Sequence, residues 1–477
     1  MTIPEPKRSK NQGLTRQLGL FDSTMVIMGI VIGSGIFMTT GIMAKSIPAP
    51  GLILLAWTLG GLLILAGGLT FAELGASMPE AGGPYVYLRE AFGSLFGFLF
   101  GWIVFLVYMT GGIAALAVAF AEFVSSFIPS LSPQNLIFSV RIPALHYSLS
   151  AGQIVAVAAI LLFSAFNYFG LGLGKTIQNV LTVTKIGAIV LFIILGLTIG
   201  NGSSIDFTFV PKIPGWSLGR LFFGFGLALI AVSWAFDGWN NINFIAGEIK
   251  NPGRTLPLAL ILGTLSITLL YVLTNVVYFR ALPVDEITGV VRIAEKTSQT
   301  LFGETAAIFV SIAVIISILS ALNGSILAGP RVYFAMAQDG LFFRRVAGVH
   351  PRFRTPSYAL LLQAVWSCIL TLSGTFERII TFVMFVSILF WIGTAASIFT
   401  LRKKYPDVRR TYKTWGYPVV PLLFIVGSSG ILINTLIEKP AESLAGIGLT
   451  IIGIPVYYHW RKIRNDESRN TKGSLRR

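Results

Sequence analysis

The stretch MGIVIGSGIFMTTG, residues 28–41, lies inside the first long apolar segment, where an uninterrupted membrane helix would be the simplest expectation. It places Gly33, Ser34 and Gly35 in succession, and each glycine costs a helix about 1 kcal/mol relative to alanine. In lipid, a broken helix persists only where its freed backbone groups face protein or a water-filled cavity. The second half of such a helix begins with unpaired N–H groups and a positive dipole end. The stretch therefore predicts a helix break that suits a carboxylate, and we expect the rest of the chain to be built around this break.

The composition of the chain is that of a membrane protein. Of its 477 residues, 54% are hydrophobic and 12% charged, and the mean hydropathy is +0.77. The apolar residues form runs of about 20 or more, the length that crosses ~30 Å of hydrocarbon. The net charge of +16 comes from basic residues between these runs, so it does not indicate a nucleic-acid partner. One cysteine, Cys368, and three scattered histidines fit neither an internal disulfide nor a metal site.

Segment length and hydropathy predict about twelve membrane helices. They are expected at residues 20–46, 51–78, 94–128, 152–170, 176–200, 219–246, 257–281, 302–327, 357–374, 378–401, 418–437 and 442–460. Residues 1–19 and 461–477 then form tails. Of the 36 lysines and arginines, 26 lie on the side of both termini and 9 on the other side. Because cytoplasmic loops carry the excess of positive charge, both termini are expected in the cytoplasm, with the chain in the plasma membrane or bacterial inner membrane.

The sixth predicted span contains a second break. Asp237, Gly238, Asn240, Asn241 and Asn243 lie at membrane depth, where polar side chains are costly unless they face a cavity or protein. One interpretation is that glycines here and in the first span only let helices pack closely. Two breaks five spans apart favour an inverted repeat with a substrate site at its interface. Residues 20–200 and 219–401 are then the two repeats, and residues 418–460 are two appended helices.

Lys185 is the third notable feature, because it lies deep within the fifth predicted span. An intramembrane lysine is a functional candidate by default. It could take the place of a bound cation beside the unwound first helix, or lose its proton, since burial lowers a lysine pKa. It could also be tied to backbone carbonyl groups for structural reasons alone, and these roles are compatible.

Six stretches carry a family resemblance that spans nearly the whole chain. They are IGSGIF (32–37), MPEAGGPYVYLREAFG (78–93), TKIGAIV (184–190), WAFDGWNNINFIAGEIKNPGR (234–254), GPRVYFAMAQDGLF (329–342) and WGYPVVP (415–421). In this order they resemble the amino acid–polyamine–organocation superfamily, and within it the L-amino acid transporter family, especially its bacterial members. The motifs are specific for the family but not for a substrate.

The resemblance implies an all-α polytopic protein of LeuT-like fold, with a 5+5 inverted repeat, unwound helices 1 and 6 and two further C-terminal helices. The substrate carboxylate is then expected at backbone N–H groups of the first helix and the ammonium at carbonyl groups of both unwound helices. The implied binding residues are Val31, Ile32, Gly33, Ser34, Gly35, Ile36, Trp234, Ala235, Phe236, Asp237, Gly238 and Asn240.

Two further residues have roles by resemblance. Trp234 matches an aromatic residue that closes over the substrate, and Lys185 matches a lysine that replaces a sodium ion in sodium-independent members. These two are the expected coupling and gating residues. Eukaryotic members carry, in the loop after the third span, a cysteine that joins them to a glycoprotein. Here residues 129–153 contain none, so no disulfide-linked heavy chain is expected.

The function predicted is that of a sodium-independent secondary transporter, an exchanger of small or neutral L-amino acids that uses alternating access. Its only expected partners are the amino acid and membrane lipid, without a cofactor or metal. Proton-coupled symport through Lys185 and transport of cationic amino acids or polyamines, favoured by Asp237, stay as alternatives. A receptor that does not transport is the alternative from another class. No grouping of catalytic residues or metal-ligand spacing indicates an enzyme.

Overall fold

The structure, a computed structural model, describes residues 14–142, 145–199, 207–210, 217–373 and 376–474. Side chains are described in these ranges except at 140–147, 376–382 and 466–474. Most of the predicted N-terminal tail, residues 1–13, and the last three residues of the C-terminal tail lie outside the described residues.

Helices dominate the described chain. They are α1 (Leu20–Val31), α2 (Gly35–Ser46), α3 (Pro50–Ser77), α4 (Pro84–Phe92), α5 (Ser94–Ile103), α6 (Met109–Ser125), α7 (Ala151–Tyr168), α8 (Leu171–Thr198), α9 (Leu218–Ala235), α10 (Pro252–Ala281), α11 (Val284–Ile287), α12 (Ile293–Phe302), α13 (Glu304–Ala328), α14 (Pro330–Gln338), α15 (Ser357–Leu372), α16 (Phe376–Lys404), α17 (Val419–Glu438) and α18 (Pro440–Ser474). A π-helical turn, Val104–Tyr108, joins α5 to α6, and 3-10 segments lie at Pro129–Leu131, Asn241–Glu248 and Arg344–Ala347.

The prediction of an all-α polytopic membrane protein is confirmed. Within the described ranges, ten helices are long and apolar enough to cross a membrane, and the bent pair α1 and α2 makes an eleventh span. The ninth predicted span is α15, an apolar helix of 16 residues. A small sheet was not predicted: β1 (Leu136–Ile142) pairs antiparallel with β2 (Leu145–Ser150). Its strands alternate apolar and polar residues, a pattern that a search for long apolar runs does not detect.

Several predicted boundaries differ from the structure; α10, for example, begins at Pro252, five residues before the predicted start of the seventh span. The helix α8 begins at Leu171, five residues before the predicted start, so Lys185 lies about 21 Å along it. The sixth span is α-helical only to Ala235 and resumes as the 3-10 segment Asn241–Glu248. The last helix continues to Ser474, so much of the predicted C-terminal tail is helical.

The two broken spans cross each other at their breaks. The axes of α1 and α2 differ by 40° across the first break. A Cβ atom built on Gly35 would lie 2.6 Å from the Cα atom of Ala235, and one built on Gly238 would lie 2.3 Å from a side-chain carbon of Ile30. Gly238 also has a φ of +92°, which residues with a side chain rarely adopt. Gly35 and Gly238 are therefore required by the close approach of the other span.

The side of the molecule on which α1 begins is closed by contacts between the first and sixth spans. Leu18 forms a parallel bridge with Ile249, and Lys250 donates its backbone N–H to the Leu18 carbonyl oxygen at 2.8 Å. Glu248 accepts two hydrogen bonds from Arg331, at 2.9 and 3.1 Å, and both side chains are buried. Removing one partner of such a buried pair is strongly destabilising, so the pair holds the 3-10 segment against α14, while the backbone contacts of Leu18 join that segment to the start of α1.

The second and fifth motifs of the sequence meet on the same side. Tyr85 of α4 donates a hydrogen bond of 2.7 Å to the Asp339 carboxylate, and Arg89 forms an ion pair with the same carboxylate. Burial opposes the charge on Arg89, but the ion pair with Asp339 outweighs this effect, so the pKa of Arg89 lies above its ordinary value. The stretches 78–93 and 329–342 thus join α4 to the end of α14.

The close crossing predicts that Gly35→Ala destabilises the protein. The added methyl group would meet the backbone of α9, and such overpacking costs roughly 1–3 kcal/mol. We expect a lower midpoint of thermal unfolding for the purified protein in detergent. The matched control is Gly187→Ala on α8, where a Cβ atom meets nothing within 4 Å. Equal midpoints for Gly35→Ala and Gly187→Ala would contradict the packing described here.

Candidate functional site

A cavity with an empty volume of about 460 Å³, including its opening, lies where the two broken spans cross. Six of the predicted binding residues line it: Val31, Gly33, Ser34, Gly35, Trp234 and Asp237. The structure therefore brings the two breaks together around one space, although the role of each residue in binding stays a prediction.

Seven further residues complete the lining, and most belong to the third span. They are Ile30, Tyr108, Met109, Gly112, Leu116, Asn241 and Ser325. Gly112 and Leu116 lie beyond Tyr108 towards the end of α6, and a Cβ atom at Gly112 would meet nothing within 4 Å. The cavity therefore extends away from the side that Leu18 and Ile249 close.

The other six predicted residues do not line the cavity. Ile36 and Phe236 are fully buried, and Ala235 and Gly238 form the crossing itself. Ile32 contributes its carbonyl oxygen to the contacts of Lys185. Asn240 is also buried, and its amide has no hydrogen-bond partner among the described residues. Its neighbour Asn241 lines the cavity instead.

The anion-binding end of the cavity is the start of α2. The first N–H groups of a helix have no partner within the helix, and here they belong to residues 34–36. In the described structure no side chain caps this terminus, and its first turn contains no acidic residue. These donors and the positive end of the helix dipole suit a carboxylate.

Val31 at the end of α1 lines the cavity, and Ala235 at the end of α9 lies at the crossing beside Gly35. The hydroxyl group of Tyr271, on α10, is 3.0 Å from the carbonyl oxygens of both Val31 and Ala235. A hydroxyl group has one hydrogen to donate, so Tyr271 bridges the two breaks without saturating either oxygen. The remaining capacity of the Val31 carbonyl group, at the cavity, suits the ammonium group of a ligand.

Lys185 is fully buried and donates only to backbone oxygens. Its ammonium nitrogen lies 2.7 Å from the carbonyl oxygen of Gly29, 2.5 Å from that of Ile32 and 3.4 Å from that of Ser317. Gly29 and Ile32 are at the broken end of the first span, and Ser317 is on α13. Lys185 therefore joins α8, α13 and the break, in agreement with the predicted tie to carbonyl groups; its part in coupling stays a prediction.

Tyr108 of the third span lines the cavity and contacts the second break. It ends the π-helical turn, and its hydroxyl group donates to an Asp237 carboxylate oxygen at 3.0 Å and lies 3.2 Å from the side-chain oxygen of Asn241. Asp237 is thereby held at the edge of the cavity by a neutral donor.

Tyr108 and Tyr271 are not among the binding residues predicted from the sequence, because that prediction relies on charged residues and glycines and not on tyrosine hydroxyl groups. A signal existed for Tyr271. Together with Asn275 and Tyr278 it forms a polar stripe at positions i, i+4 and i+7 within a predicted span, which places all three on one helix face. Asn275 accepts a hydrogen bond of 2.7 Å from Thr40, so the stripe contacts the first span at several levels. No comparable pattern surrounds Tyr108.

Comparison with known sequences identifies the family. A sequence profile described as "Amino acid permease" matches residues 18–454. The chain belongs to the amino acid permease family. This permease is 32% identical over 457 residues to the serine/threonine exchanger SteT of Bacillus subtilis (strain 168), which covers 95% of the permease and 99% of that protein.

Animal transporters are similar over the same length. The large neutral amino acids transporter small subunit 2 of Mus musculus is 30% identical over 464 residues, covering 96% of the permease and 84% of that protein. The b(0,+)-type amino acid transporter 1 of Homo sapiens is 29% identical over 464 residues, covering 95% of the permease and 90% of that protein. The resemblance to the amino acid–polyamine–organocation superfamily and its L-amino acid transporters is thus confirmed.

The contacts of Lys185 predict that Lys185→Ala preserves membrane insertion but loses most transport. The carbonyl oxygens of Gly29 and Ile32 would lose their donor from α8. Among the described residues they would keep only the hydroxyl groups of Ser320 and Ser317, at 3.5 and 2.8 Å respectively. Because the break would no longer be tied to α8, we expect flux to fall about tenfold or more, the factor that corresponds to the ~1.5–3 kcal/mol of a hydrogen bond from a charged group.

Because a small ammonium ion fits the same oxygens, millimolar methylammonium should restore part of the flux. Lys439→Ala, at an exposed position, is the control. Flux in Lys185→Ala equal to that of the wild type would remove Lys185 from the mechanism.

Proposed function

We propose that this permease is a sodium-independent exchanger of small, neutral L-amino acids that works by alternating access. The observation that carries the proposal is the pairing of opposite backbone groups across one cavity. In this proposal the N–H groups at the start of α2 receive the carboxylate of an amino acid, and the carbonyl group of Val31, which lines the cavity, receives its ammonium group. A zwitterion matches both ends, whereas an amine or a carboxylic acid alone matches one.

Membership of the amino acid permease family supports a transport function for this chain, and not an enzymatic one. The relatives' own names describe a serine/threonine exchanger and transporters of large neutral amino acids. We extend exchange to this chain. The hydroxyl and amide groups of Tyr108, Asn241 and Ser325 around the remaining space can hydrogen-bond a small polar side chain such as that of serine.

Sodium independence follows, in this proposal, from the position of Lys185. Backbone carbonyl oxygens are ligands that a small hard cation prefers, and those of Gly29, Ile32 and Ser317 already receive the ammonium group of Lys185. A sodium ion at these oxygens would meet a like charge. The gradient of the exchanged amino acids is then the source of free energy.

The proposed architecture places residues 20–200 and 219–401 as inverted repeats, residues 418–460 as two appended helices, and both termini in the cytoplasm. The close reciprocal packing of the two breaks supports the repeat, and the excess of lysine and arginine on one side supports the orientation. No disulfide-linked heavy chain is proposed, because residues 129–153 have no cysteine.

The deciding experiment is uptake of labelled L-serine, L-alanine and L-leucine into proteoliposomes, in sodium-free buffer, with and without internal amino acid. We expect uptake that requires internal amino acid and does not respond to an imposed pH gradient. Uptake into empty vesicles driven by an inward proton gradient would instead establish a symporter. Substrate binding without flux under every condition would establish a receptor.

Asp237 gives specific support to a second candidate, the transport of cationic amino acids. Its carboxylate lies at the cavity, and among the described residues it is paired with the neutral Tyr108 hydroxyl group and with no cationic side chain. A bound lysine or arginine side chain could therefore supply the opposite charge. Because both candidates use the same backbone groups for the zwitterion, they differ only in what this carboxylate contacts.

We predict that excess L-lysine inhibits L-serine exchange and that Asp237→Asn weakens this inhibition about tenfold or more, since a hydrogen bond to a charged group contributes roughly 1.5–3 kcal/mol. Asn keeps the acceptor for Tyr108, so L-serine exchange should change little. Asp285→Asn, at an exposed position, is the control. Inhibition by L-lysine that survives in Asp237→Asn, or is absent from the wild type, would exclude contact of Asp237 with a cationic substrate.

A further inference from the structure

Helix α15 does not line the cavity, yet two of its side chains hold irregular backbone in the two spans that do. Gln363 and Trp366 lie one helical turn apart and face the third and eighth spans. We propose that Trp366 and Gln363 are positioning residues for the substrate site: they hold the π-helical turn that directs Tyr108 into the cavity and the proline bend that follows Ser325. The inference rests on the proposed transport function and adds to it the residues that determine the geometry of the site.

The first irregularity is the π-helical turn Val104–Tyr108. The N–H group of Met109 bonds back to the carbonyl oxygen of Val104, five residues earlier, in place of the usual four. Such turns are rare and occur frequently at functional sites. The carbonyl groups of this turn receive side-chain donors: Phe105 accepts from the Thr110 hydroxyl group at 2.7 Å.

Trp366 contacts the turn from another helix, as does Tyr333 of α14, whose hydroxyl group lies 3.5 Å from the carbonyl oxygen of Val104. Its indole N–H donates to the carbonyl oxygen of Leu106 at 3.0 Å. Its ring also lies nearly parallel to that of Phe105, with centroids 6.1 Å apart and planes inclined by 26°. Trp366 therefore contacts the π-helical turn through both a hydrogen bond and a ring, two residues before Tyr108.

The second irregularity is the junction of α13 and α14. Pro330 has no N–H, so the carbonyl group of Ile326 has lost the donor that a helix would supply from that position. The side-chain amide of Gln363 donates to this oxygen at 3.2 Å, and its own oxygen accepts from Tyr333 at 3.2 Å. A Cβ atom at Gly329 would lie 2.1 Å from the Gln363 oxygen. The glycine makes room for the amide, next to the cavity residue Ser325.

These contacts determine where Tyr108 points. Each residue of a helix advances the side-chain direction by about 100°, since 3.6 residues complete a turn. If the π-helical turn relaxed to an ordinary helix, the extra residue would rotate Tyr108 away from Asp237 and Asn241. The indole of Trp366 stabilises the extra residue of the π-helical turn. Removing the indole is therefore expected to reduce substrate affinity, although Trp366 does not line the cavity.

The test compares Trp366→Phe with Trp102→Phe. The control is closely matched, because Trp102 also donates its indole N–H to a backbone oxygen, that of Leu449, and also lies nearly parallel to a phenylalanine, Phe98. We expect Trp366→Phe to raise KM for exchange about fivefold, the factor that corresponds to ~1 kcal/mol for one hydrogen bond, with Vmax nearly unchanged. Trp102→Phe should leave KM unchanged. A general loss of folded protein would lower Vmax and leave KM as it is.

A double variant shows whether the effect passes through Tyr108. Residues that act through one another give non-additive changes, so Trp366→Phe should add little to the KM of Tyr108→Phe. Additive changes in KM, or an unchanged KM in Trp366→Phe while the wild type transports, would overturn the inference.

Hydrogen–deuterium exchange gives an independent readout that does not need flux. Peptides that cover residues 104–110 should exchange faster in Trp366→Phe than in the wild type, and those of Trp102→Phe should not. If the wild type exchanges no amino acid in proteoliposomes, the proposed function fails while this measurement still decides the role of Trp366. Equal exchange rates over residues 104–110 in Trp366→Phe and the wild type would overturn that role.

Discussion

The rest of the structure depends on one constraint: within lipid, every backbone group that a broken helix frees must find a partner in the protein. Two spans break at the same point and cross so closely that Gly35 and Gly238 have no room for a side chain. The freed carbonyl groups are then shared among side chains of other helices. Lys185 takes those of Gly29 and Ile32, and Tyr271 bridges those of Val31 and Ala235.

The proposed site consists of the backbone N–H and carbonyl groups whose hydrogen-bonding capacity these side chains do not fill. At the start of α2 the N–H groups have neither a capping side chain nor an acidic neighbour in the described structure, and Tyr271 divides one hydrogen between two oxygens. In the proposed exchange these backbone groups bind what all amino acids share, the carboxylate and the ammonium group. The side chains of the third span and of the second break are left to distinguish one amino acid from another.

The sequence was sufficient to locate both breaks, the depth of Lys185 and half of the cavity lining, because glycine and charge are conspicuous in apolar runs. Tyr108 could not be predicted from the sequence, because a π-helical turn adds one residue without a sequence signal and an aromatic side chain counts as apolar. The choice of Asn240 over Asn241 has a similar cause. Residues 236–240 follow no helical period in the structure, so neighbouring asparagines cannot be assigned to opposite faces by counting.

In the proposed alternating access, the same contacts indicate that α1 moves while the second break stays in place. On the side where the cavity is closed, α1 is joined to the sixth span by Leu18 and Ile249, and Glu248 is joined to Arg331. In this proposal, opening that side separates α1 from α8 and α13, and this separation breaks the bonds of Lys185 to Gly29 and Ile32. Tyr271 then loses its contact with Val31, which lies between them, but keeps its contact with Ala235 of the sixth span. Lys185 and Tyr271 thus satisfy neighbouring carbonyl groups of the first break, yet only Tyr271 also holds an oxygen of the second break, which stays in place when α1 moves.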